Sequence, residues 1–572
     1  MPEPTNSGTP GGPGKKKELL SQEQRLMISF ALMILILMAT PYFYKTPPPV
    51  KKAAPAPHAT PAPAPEPAAT PEAAPVSSTP AGPPVAAENE ETSTIDTDLF
   101  HITFSNRGGV VKSWLLKKYK AHSGKPLELV NTSARIELPF ALFFPGQKPS
   151  SDVNQALYQM KTDSDGLGIS FEYSNGSVTV RKAFHFQKSK YLSQVSTDVM
   201  DGGKHIAHGI AWRGGFGDMA VANPAGAQQT LRFETADAKL IKTGAKAAKN
   251  GPVTVSGIYS FAGIEDQYFV AAFLPEDAAS FELTTLSDNA STPLDTKEQP
   301  FAGVAVGGNP PLRFSLYVGP KDIDTLRAVN PKLEQVVDFG WFSILAKPLF
   351  LLVHWVTDRA IHNYGWSIIV VTVVLNFALF PLKLSSMKSM KKMQALQPQI
   401  AAINDKYKNV GLRDPRKADQ NQEVMDLYKK HGVNPMGGCV PMLLQIPFFI
   451  AFYKVFTVSV EMRGAGWLWV ADLSQPEQLP IHILPIIMIV TQFLMQKMTP
   501  TTAGTDPNQQ RMMMFMPLIF GFMFYNLSSG LVLYYLTSNL VGIAQQWFFN
   551  KTSIAAVAAQ SVLPPPKKKG RK

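Results

Sequence analysis

The sequence predicts a multi-domain membrane protein. An α-helical membrane module of five core spans and an N-terminal anchor span carries an all-β sandwich domain and a cytoplasmic helical hairpin. Apolar runs long enough to cross a bilayer occur at 26–44 and several times after 365. Between them, from 94 to 330, short segments alternate apolar and polar residues, which is typical of strands. Basic residues cluster beside the apolar runs, as they do on cytoplasmic flanks.

Composition narrows the chemistry that the chain can carry. Its 572 residues have a formal net charge of +12 and include one cysteine, Cys439. A single cysteine excludes an intrachain disulfide and a cysteine-clustered metal site. The ten histidines form no HExxH or comparable ligand pair. We therefore expect no metal, no cofactor and no enzymatic activity.

The N-terminal part predicts a tethered anchor. After a basic tail at 1–25, the run 26–44 is 19 residues long, enough for one span. A signal peptide is the competing interpretation. The run is long for one, however, and no small-residue cleavage site directly follows it. We interpret it as an uncleaved anchor. The Pro/Ala-rich residues 45–93 predict an extended linker.

The segment 94–330 predicts the β-sandwich. Phe100, Ile102 and Phe104 alternate with polar residues, and Asn175-Gly176 separates two further alternating runs. An Asn-Gly pair supplies the positive φ angles of a tight hairpin turn. Tyr268 to Leu274 and Arg313 to Val318 predict more strands. No catalytic set of residues is evident in this segment.

From 331 onward the pattern becomes helical. We expect an interfacial amphipathic helix, with the residues that lead into it, at 331–364. We also expect a cytoplasmic segment between two spans at 384–432 and a basic cytoplasmic tail at 549–572. The segment 384–432 predicts a helical hairpin because two amphipathic stretches flank a polar connection. The predicted spans of the core, 365–548, are 365–383, 436–458, 481–497, 510–526 and 530–548.

Loop charge predicts the orientation of these spans. The segment 384–432 holds ten Lys or Arg against five Asp or Glu, whereas 459–480 holds Arg463 against three acidic residues. Positive loops stay in the cytoplasm. We therefore expect both termini and the hairpin in the cytoplasm and the β domain on the opposite side.

A polar stripe interrupts the first core span. Thr372, Asn376 and Lys383 are spaced to lie on one face of a helix that is otherwise apolar. Polar groups at membrane depth are costly and mark either a pathway or a packing contact. Both interpretations stay open at this point: a hydrated recess, or an Asn whose side chain bonds to a neighbouring helix.

Several motifs are more specific than hydropathy. They are Val433 to Phe448 (VNPMGGCVPMLLQIPF), Gln496 to Pro500 with Met514 to Pro517, and Ser529 to Leu540 (SGLVLYYLTSNL) followed by Gln545-Gln546. Together they resemble the YidC/Oxa family of membrane protein insertases. In the β domain, Gln267 to Phe269, Leu316 to Pro320 and Asp338 to Trp341 resemble the large periplasmic domain of the family's long, double-membrane-bacterial type.

The resemblance implies a function and a set of partners. It implies an inner-membrane insertase and chaperone that works alone or with the Sec translocon, through a hydrophilic groove open to cytoplasm and lipid. Nascent membrane proteins would be its substrates. The ribosome would bind the hairpin and the basic tail, and lipids would surround the spans. No nucleotide or metal is implied.

The resemblance implies that Thr372, Phe449 and Tyr535 meet the substrate helix, while Gln445 and Gln492 are polar residues of the spans that can line a groove. The groove residues that we predict are Thr372, Asn376, Lys383, Gln445, Phe449, Gln492, Tyr534 and Tyr535. One position departs from the family, which usually carries an arginine five residues before Pro381, where this chain has Asn376. Lys383 lies seven residues further on, about 10 Å along a helix. It either supplies the missing charge or acts as an ordinary cytoplasmic anchor. We also expect Asn376→Arg to be tolerated.

Two alternative functions stay open on the sequence. A solute transporter or channel is one, although no acidic residue interrupts the clear spans and no inverted repeat is evident. A sugar-binding β domain on a membrane scaffold is the other, since sugar epimerases share the sandwich architecture. Fold alone is weak evidence for function.

Overall fold

The computed structural model describes residues 84–561 except 122, 222, 277–279, 309, 409–413, 415, 434–439 and 499–506. The predicted N-terminal tail 1–25, the anchor 26–44, most of the linker 45–93 and the end of the basic tail lie outside the described residues. What is described falls into two compact units, 398–432 and the remainder, which contains both the β domain and most of the helical module.

The β domain contains nineteen strands among the described residues. They are β1 Thr92–Asp96, β2 Phe100–Ser105, β3 Val110–Lys120, β4 Pro126–Glu128, β5 Ala141–Phe143, β6 Gln159–Thr162, β7 Gly168–Ser174, β8 Val178–Phe186, β9 Leu192–Asp201, β10 Lys204–His205, β11 His208–Trp212, β12 Gln229–Glu234, β13 Lys239–Gly244, β14 Val253–Gly257, β15 Tyr259–Glu265, β16 Phe269–Pro275, β17 Phe281–Ala290, β18 Gln299–Gly308 and β19 Leu312–Pro320. A short helix α1, Pro224–Ala227, lies between β11 and β12.

The strands form three antiparallel sheets. The largest follows the order β13-β12-β15-β16-β19-β9-β8-β7-β6, with β10 paired to β9. A five-stranded sheet follows β14-β17-β18-β11-β5, and a four-stranded sheet follows β1-β2-β3-β4. The sheets pack through aromatic residues. Phe281 of the five-stranded sheet lies 5.9 Å from Phe314 of the largest, and Phe104 of the four-stranded sheet lies 5.3 Å from Phe184. This layered packing is the predicted sandwich.

The predicted strands and hairpin are confirmed. β7 and β8 pair antiparallel, and the Asn175 Oδ1 accepts hydrogen bonds from the amides of Ser177 and Val178 at 3.0 and 2.7 Å. Gly176 has φ 93°, a conformation that glycine adopts without steric cost. Within β8, Val178, Val180, Phe184 and Phe186 are buried on one face, which is why the alternation was visible in the sequence.

The helical module begins directly after β19. Its helices are α2 Ile323–Val329, α3 Ser343–Val356, α4 Tyr364–Ala378, α5 Phe380–Ala395, α6 Gln397–Lys406, α7 Arg416–Lys430, α8 Val440–Val458, α9 Ile483–Met498, α10 Pro507–Phe524 and α11 Ser529–Ser561. A π-helical turn, Thr357–Ile361, continues α3. The segment predicted as interfacial, 331–364, therefore contains one longer helix, α3, with Ile344 and Trp355 exposed on it and Trp341 exposed in the 3-10 turn Gly340–Phe342 that precedes it.

Length and apolarity single out few spans among the described residues. One helix, Gly340–Ile361, is long and apolar enough to cross a membrane, and the α4–α5 pair is a second candidate if it is one broken span. Leu444–Val458, Ile483–Met498 and Phe515–Phe524 are shorter apolar helices. The count of five core spans plus an anchor stays a prediction.

The first predicted core span is bent. The sequence suggested one helix over 365–383, but α4 and α5 meet at Leu379 with an angle of 57° between them. Pro381, in the first turn of α5, has no amide hydrogen to donate to the preceding turn, and proline commonly breaks a helix for this reason. The bend places Lys383 on a different helix from Asn376.

The second unit, 398–432, contains most of α6 and all of α7. These helices bond to each other: Lys406 pairs with Glu423 at 2.5 Å, and Gln420 donates to the Asn404 side chain at 2.6 Å. These two bonded helices lie within the segment for which the sequence predicts a helical hairpin, and the hairpin 384–432 as a whole stays a prediction. Its cytoplasmic position stays a prediction.

Candidate functional site

The polar stripe of the sequence forms a bonded cluster around Asn376. The Asn376 side chain is 6% exposed. Its Nδ2 donates to the Thr372 carbonyl at 2.9 Å and to the Ser538 Oγ at 3.3 Å. Its Oδ1 accepts from the Lys383 Nζ at 2.6 Å. The amide is therefore fully engaged, and it presents no free hydrogen to lipid.

Helix α11 holds this cluster from the opposite side. Ser538 bonds to the Asn376 side chain, and the Gln545 Nε2 donates to the Asn376 main-chain carbonyl at 3.2 Å. Ser538 and Gln545 are seven residues apart, two helical turns, so they lie on one face. Because Ser538 and Gln545 both lie on α11, the position of Asn376 depends on how α4 and α11 pack.

Lys383 is the charged member of the cluster. Its side chain is half-buried, and it reaches back across the bend so that its ammonium contacts α4. An ammonium carries three donors, and the Asn376 Oδ1 occupies one of them. The Lys383 ammonium therefore lies beside residue 376, where the resemblance implies an arginine. That Lys383 supplies the missing charge stays a proposal.

Thr372 has a different role from the one expected. It is 0% exposed, and its Oγ1 donates to the Ile368 carbonyl at 2.6 Å within its own helix. This backbone-directed bond satisfies the hydroxyl inside α4. Thr372 therefore supports Asn376 through its carbonyl, and its hydroxyl is not exposed to a recess.

An aromatic cluster is formed by α8, α10 and α11. The ring of Phe524 lies 5.6 Å from Phe449 and 5.0 Å from Tyr535, and Phe449 and Tyr535 are 6.5 Å apart. Tyr534 is stacked on Phe452 with ring centroids 4.2 Å apart. The structure thus brings together Phe449 and Tyr535, while Tyr534 lies in a separate stack and is 4% exposed.

The two predicted glutamines lie on neighbouring helices. Gln445 is half-buried on α8. Gln492 lies on α9, where its Oε1 is buried and has no hydrogen-bond partner within the part of the chain that the structure describes. Neither glutamine joins the Asn376 cluster through a contact that the structure describes.

Ser538, Gln545 and Phe524 are site residues that the sequence did not single out. Ser538 and Gln545 belong to the motif segments, but nothing in their spacing identified α4 as their partner. Asn539, the residue after Ser538, bonds to a different helix, with its Nδ2 donating to the Thr491 Oγ1 of α9 at 3.4 Å. Helix-to-helix hydrogen bonds of this kind are common in membrane proteins.

The β domain shows no comparable site among the residues that the structure describes. No group of three or more His, Cys, Asp or Glu there is arranged to hold a metal ion. His208 is buried and bonded to Thr197 at 2.8 Å, and burial lowers the pKa of its imidazole. His101 and His205 pair with nearby aspartates. These histidines have structural partners.

Comparisons with known proteins cover both parts of the chain. The family described as YidC periplasmic domain matches residues 92–352, and the family described as 60Kd inner membrane protein matches residues 355–556. The crystal structure titled "Active YidC insertase crystal structure with the first transmembrane domain resolved" is similar with a TM-score of 0.36 at 20% identity, over 82% of this chain and 94% of that one.

Curated relatives match over nearly their whole length. The membrane protein insertase YidC of Geotalea daltonii is 35% identical over 93% of this chain and 99% of its own. The protein of the same name from Syntrophus aciditrophicus is 34% identical over 94% and 99%. Neither alternative function, solute transport or sugar binding on a scaffold, is favoured by these matches. The chain belongs to the YidC family of membrane protein insertases, which are inner-membrane proteins with a periplasmic domain.

Proposed function

We propose that this chain inserts membrane proteins through a polar recess whose charged group is the Lys383 ammonium, held in place by Asn376. The observation that supports the proposal is the 2.6 Å bond between the Lys383 Nζ and the Asn376 Oδ1. It moves the positive charge expected in this family from α4 to the start of α5. Asn376 is then a positioning residue, and Lys383 is the group that meets the substrate.

The physical need for such a group is desolvation. A polar segment entering hydrocarbon loses the water around its peptide groups and charges. Helix α4 has 15 residues, about 22 Å at the helical rise, whereas a bilayer core is about 30 Å thick. A short span ending in a bend and a half-buried cation shortens the apolar distance that the segment must cross.

The aromatic cluster is the proposed contact for the substrate's apolar helix. Phe449, Phe524 and Tyr535 come from three helices, and aromatic rings offer large apolar area at low cost in conformational entropy. Gln445 and Gln492 would line the polar side of the recess, with the unpartnered Gln492 Oε1 available to water or to substrate amides. Tyr534 would support this wall through its stack with Phe452.

The finer topology and partners are part of the same proposal. The chain would be a multi-pass protein with five core spans and an anchor, both termini in the cytoplasm, and would also act as a chaperone alone or beside the Sec translocon. The hairpin 384–432 and the basic tail 549–572 would contact the ribosome. Positive loop charge supports this orientation.

Insertion into proteoliposomes tests the proposal. A ribosome-bound nascent chain with an acidic translocated segment is compared with a version whose acidic residues are changed to amides. Lys383→Gln should lower insertion of the acidic chain about tenfold or more, since a charge-assisted hydrogen bond contributes about 1.5–3 kcal/mol. It should affect the neutral chain far less, and Lys383→Arg should retain both.

Lys388→Gln is the matched control, because Lys388 is exposed on the same helix. It removes one positive charge from the same cytoplasmic flank without touching the cluster. If Lys383→Gln and Lys388→Gln lose insertion of the acidic chain equally, Lys383 acts as an ordinary cytoplasmic anchor. Purified protein that adds no insertion above empty liposomes would refute the function itself in this chain.

A further inference from the structure

A charged tripeptide of the helical module lies buried against the β domain. Glu461, Met462 and Arg463 follow α8 in the loop 459–480, and Met462 is 0% exposed. The side chains of Arg463 and of Asp218, its β-domain partner, are 5% and 3% exposed. Charged side chains are almost never this buried unless they are paired. The loop therefore makes a specific contact with the β domain.

Arg463 has a complete set of partners on the β domain. Its Nε and Nη2 contact the Asp218 carboxylate at 2.9 and 2.6 Å, and its Nη1 donates to the Lys120 carbonyl at 2.8 Å. The guanidinium also lies 5.9 Å from the Phe269 ring centroid. Beside it, the Gln267 Nε2 donates to the Thr457 carbonyl at the end of α8, at 3.0 Å.

Asp218 is fixed in turn by its own domain. Its amide donates to the Asp266 Oδ2 at 2.6 Å, and Asp266 also accepts from the Tyr268 amide at 2.8 Å. Truncating one member of a buried, hydrogen-bonded charge pair leaves the other charge uncompensated. The pair therefore favours one docked arrangement of loop and domain.

Glu461 lies two residues before Arg463 in the same loop and is half-buried. Its Oε2 is buried and has no hydrogen-bond partner among the residues that the structure describes. Burial, together with the nearby Asp322 and Asp324 carboxylates, raises the pKa of Glu461 to about 8. Burial raises the pKa of the Tyr119 hydroxyl, and the Glu461 charge contributes to that rise. Neighbouring carboxyl groups repel each other less when one of them carries a proton.

We propose that Glu461-Met462-Arg463, called the docking plug here, fixes the β domain to the loop 459–480, called the outer loop here. Docking weakens when the Glu461 carboxyl loses its proton. Arg463 supplies the specificity through Asp218, and Glu461 makes the strength of docking depend on pH on the β-domain side of the membrane. The tripeptide acts on docking and is separate from the recess at Lys383.

The direction of the pH effect follows from linkage. In the docked state Glu461 has a pKa of about 8, above the ordinary value of 4.5 that a free loop would give it. The docked state therefore binds more protons between these values, so docking is strongest at low pH and is lost as pH rises toward 8. From pH 5.5 to 8.5 the docking equilibrium should fall on the order of 100-fold.

Accessibility of Ser459 in the full-length protein tests the plug. Ser459 is 1% exposed and its hydroxyl has no partner, so Ser459→Cys is a mild change, made in a Cys439→Ser background. The rate of maleimide labelling is measured in membrane vesicles and divided by the rate in denaturant at each pH. This division removes the intrinsic pH dependence of the thiol.

Each outcome bears on the proposal. Asp218→Asn and Arg463→Gln should each raise the normalised rate at least tenfold, and the swap Asp218→Arg with Arg463→Asp should recover part of the protection. Arg181→Gln, which removes the exposed Arg181–Glu172 pair, is the control and should change nothing. If Arg463→Gln does not fold, the near-isosteric Asp218→Asn decides.

The variant Glu461→Gln tests whether Glu461 causes the pH dependence of docking. Labelling of the parent should rise between pH 5.5 and 8.5, and Glu461→Gln should remove that rise. Asp266 must be distinguished because burial also raises its pKa, to about 7. A rise that persists in Glu461→Gln assigns the effect to Asp266 or another group, and unchanged labelling in Asp218→Asn overturns the plug.

Discussion

Asn376 makes the packing contact that one of the two sequence interpretations described, since its amide bonds to a neighbouring helix through Ser538. The same amide accepts a hydrogen bond from the Lys383 ammonium. The hydrated recess stays a proposal. A single residue therefore joins a structural bond between α4 and α11 to a charged group at the bend.

The structure reverses our expectation that Asn376→Arg is tolerated. A guanidinium at 376 would lie beside the Lys383 ammonium in a site that is 6% exposed at present, and like charges repel strongly where solvent screening is weak. We expect Asn376→Arg to lower insertion and membrane yield. Asn376→Arg with Lys383→Gln should recover both, because one positive charge is then left. Equal activity of the single and double variants would contradict this.

Lys182 makes a separate prediction about pH. Its Nζ donates to the carbonyls of Gly108, Gly109 and Phe140 at 2.6, 3.3 and 2.9 Å, and burial lowers its pKa to about 7. The unfolded chain binds the extra proton between pH 7 and 10.5, so β-domain stability should rise with pH across that window, by up to about 1.4 kcal/mol per pH unit.

Urea-dependent proteolysis of the β domain in the full-length protein measures this effect. The free energy of unfolding of the parent should increase from pH 7 toward 10 relative to that of Lys182→Met, which has no titrating group there. A constant difference between the two proteins at every pH would show that Lys182 keeps its proton throughout.

Residue-level prediction succeeded where the signal was local. The sequence predicts Thr372, Asn376 and Lys383 as one set because polar residues at helical spacing are easily recognised in an otherwise apolar helix. Ser538 was not linked to them, since it is 162 residues from Asn376 and one sequence carries no information on which helices meet. The hydroxyl of Thr372 was assigned to the recess because the sequence does not show that it bonds to its own helix.

At the scale of the element, α4 is fixed at both ends. The bend at Leu379 sets its end, and the Asn363 side chain caps its start by accepting from the Trp366 amide at 3.2 Å. The outer loop also covers that start, because the Asn363 Nδ2 donates to the Gly466 carbonyl at 3.0 Å. The loop 459–480 thus covers the start of α4, the helix that carries Asn376.

Gly365 tests how closely the outer loop packs on α4. A Cβ at this position would lie 2.3 Å from the Trp467 Cδ1, so Gly365→Ala must displace the indole. Overpacking of this kind costs about 1–3 kcal/mol. We expect faster proteolysis within 459–480 and lower insertion. Gly244→Ala is the control, because nothing lies within 4 Å of its Cβ, and equal behaviour of both variants would contradict the close packing.

Element prediction was best for strands and worst for the broken span. The β7–β8 hairpin was visible because Asn175-Gly176 encodes its own turn. The bend was missed although Pro381 was present, since proline is tolerated in the first turn of a helix and inside spans as well. A single sequence does not distinguish a proline that is tolerated from one that breaks the helix.

At the scale of the whole molecule, the β domain and the helical module share a buried ion pair. Asp218 and Arg463 are 245 residues apart, and no local pattern in the sequence relates them. The β domain supplies the groups that Arg463 contacts. Removing the β domain therefore takes away both partners of Arg463, the Asp218 carboxylate and the Lys120 carbonyl.

Deletion of 94–320 with retention of 321–548 measures that consequence. We expect such a protein to insert substrates less well than the full chain, because the outer loop carries an unpaired arginine. Adding Arg463→Gln to the deletion should recover part of the loss, whereas in the full chain the same change should be harmful. The opposite signs are the expected result, and a deletion that works as well as the full chain would contradict it.

Zero-length crosslinking tests the central claim most directly. A carbodiimide joins a lysine amine to a carboxylate in direct contact, so an arrested nascent chain with one acidic residue in its translocated segment should form an amide with Lys383. Lys383→Arg should abolish this product while retaining insertion, and Lys388→Arg should leave it unchanged. A product that survives Lys383→Arg, or forms equally through Lys388, would contradict the account of Lys383 as the cation of the recess.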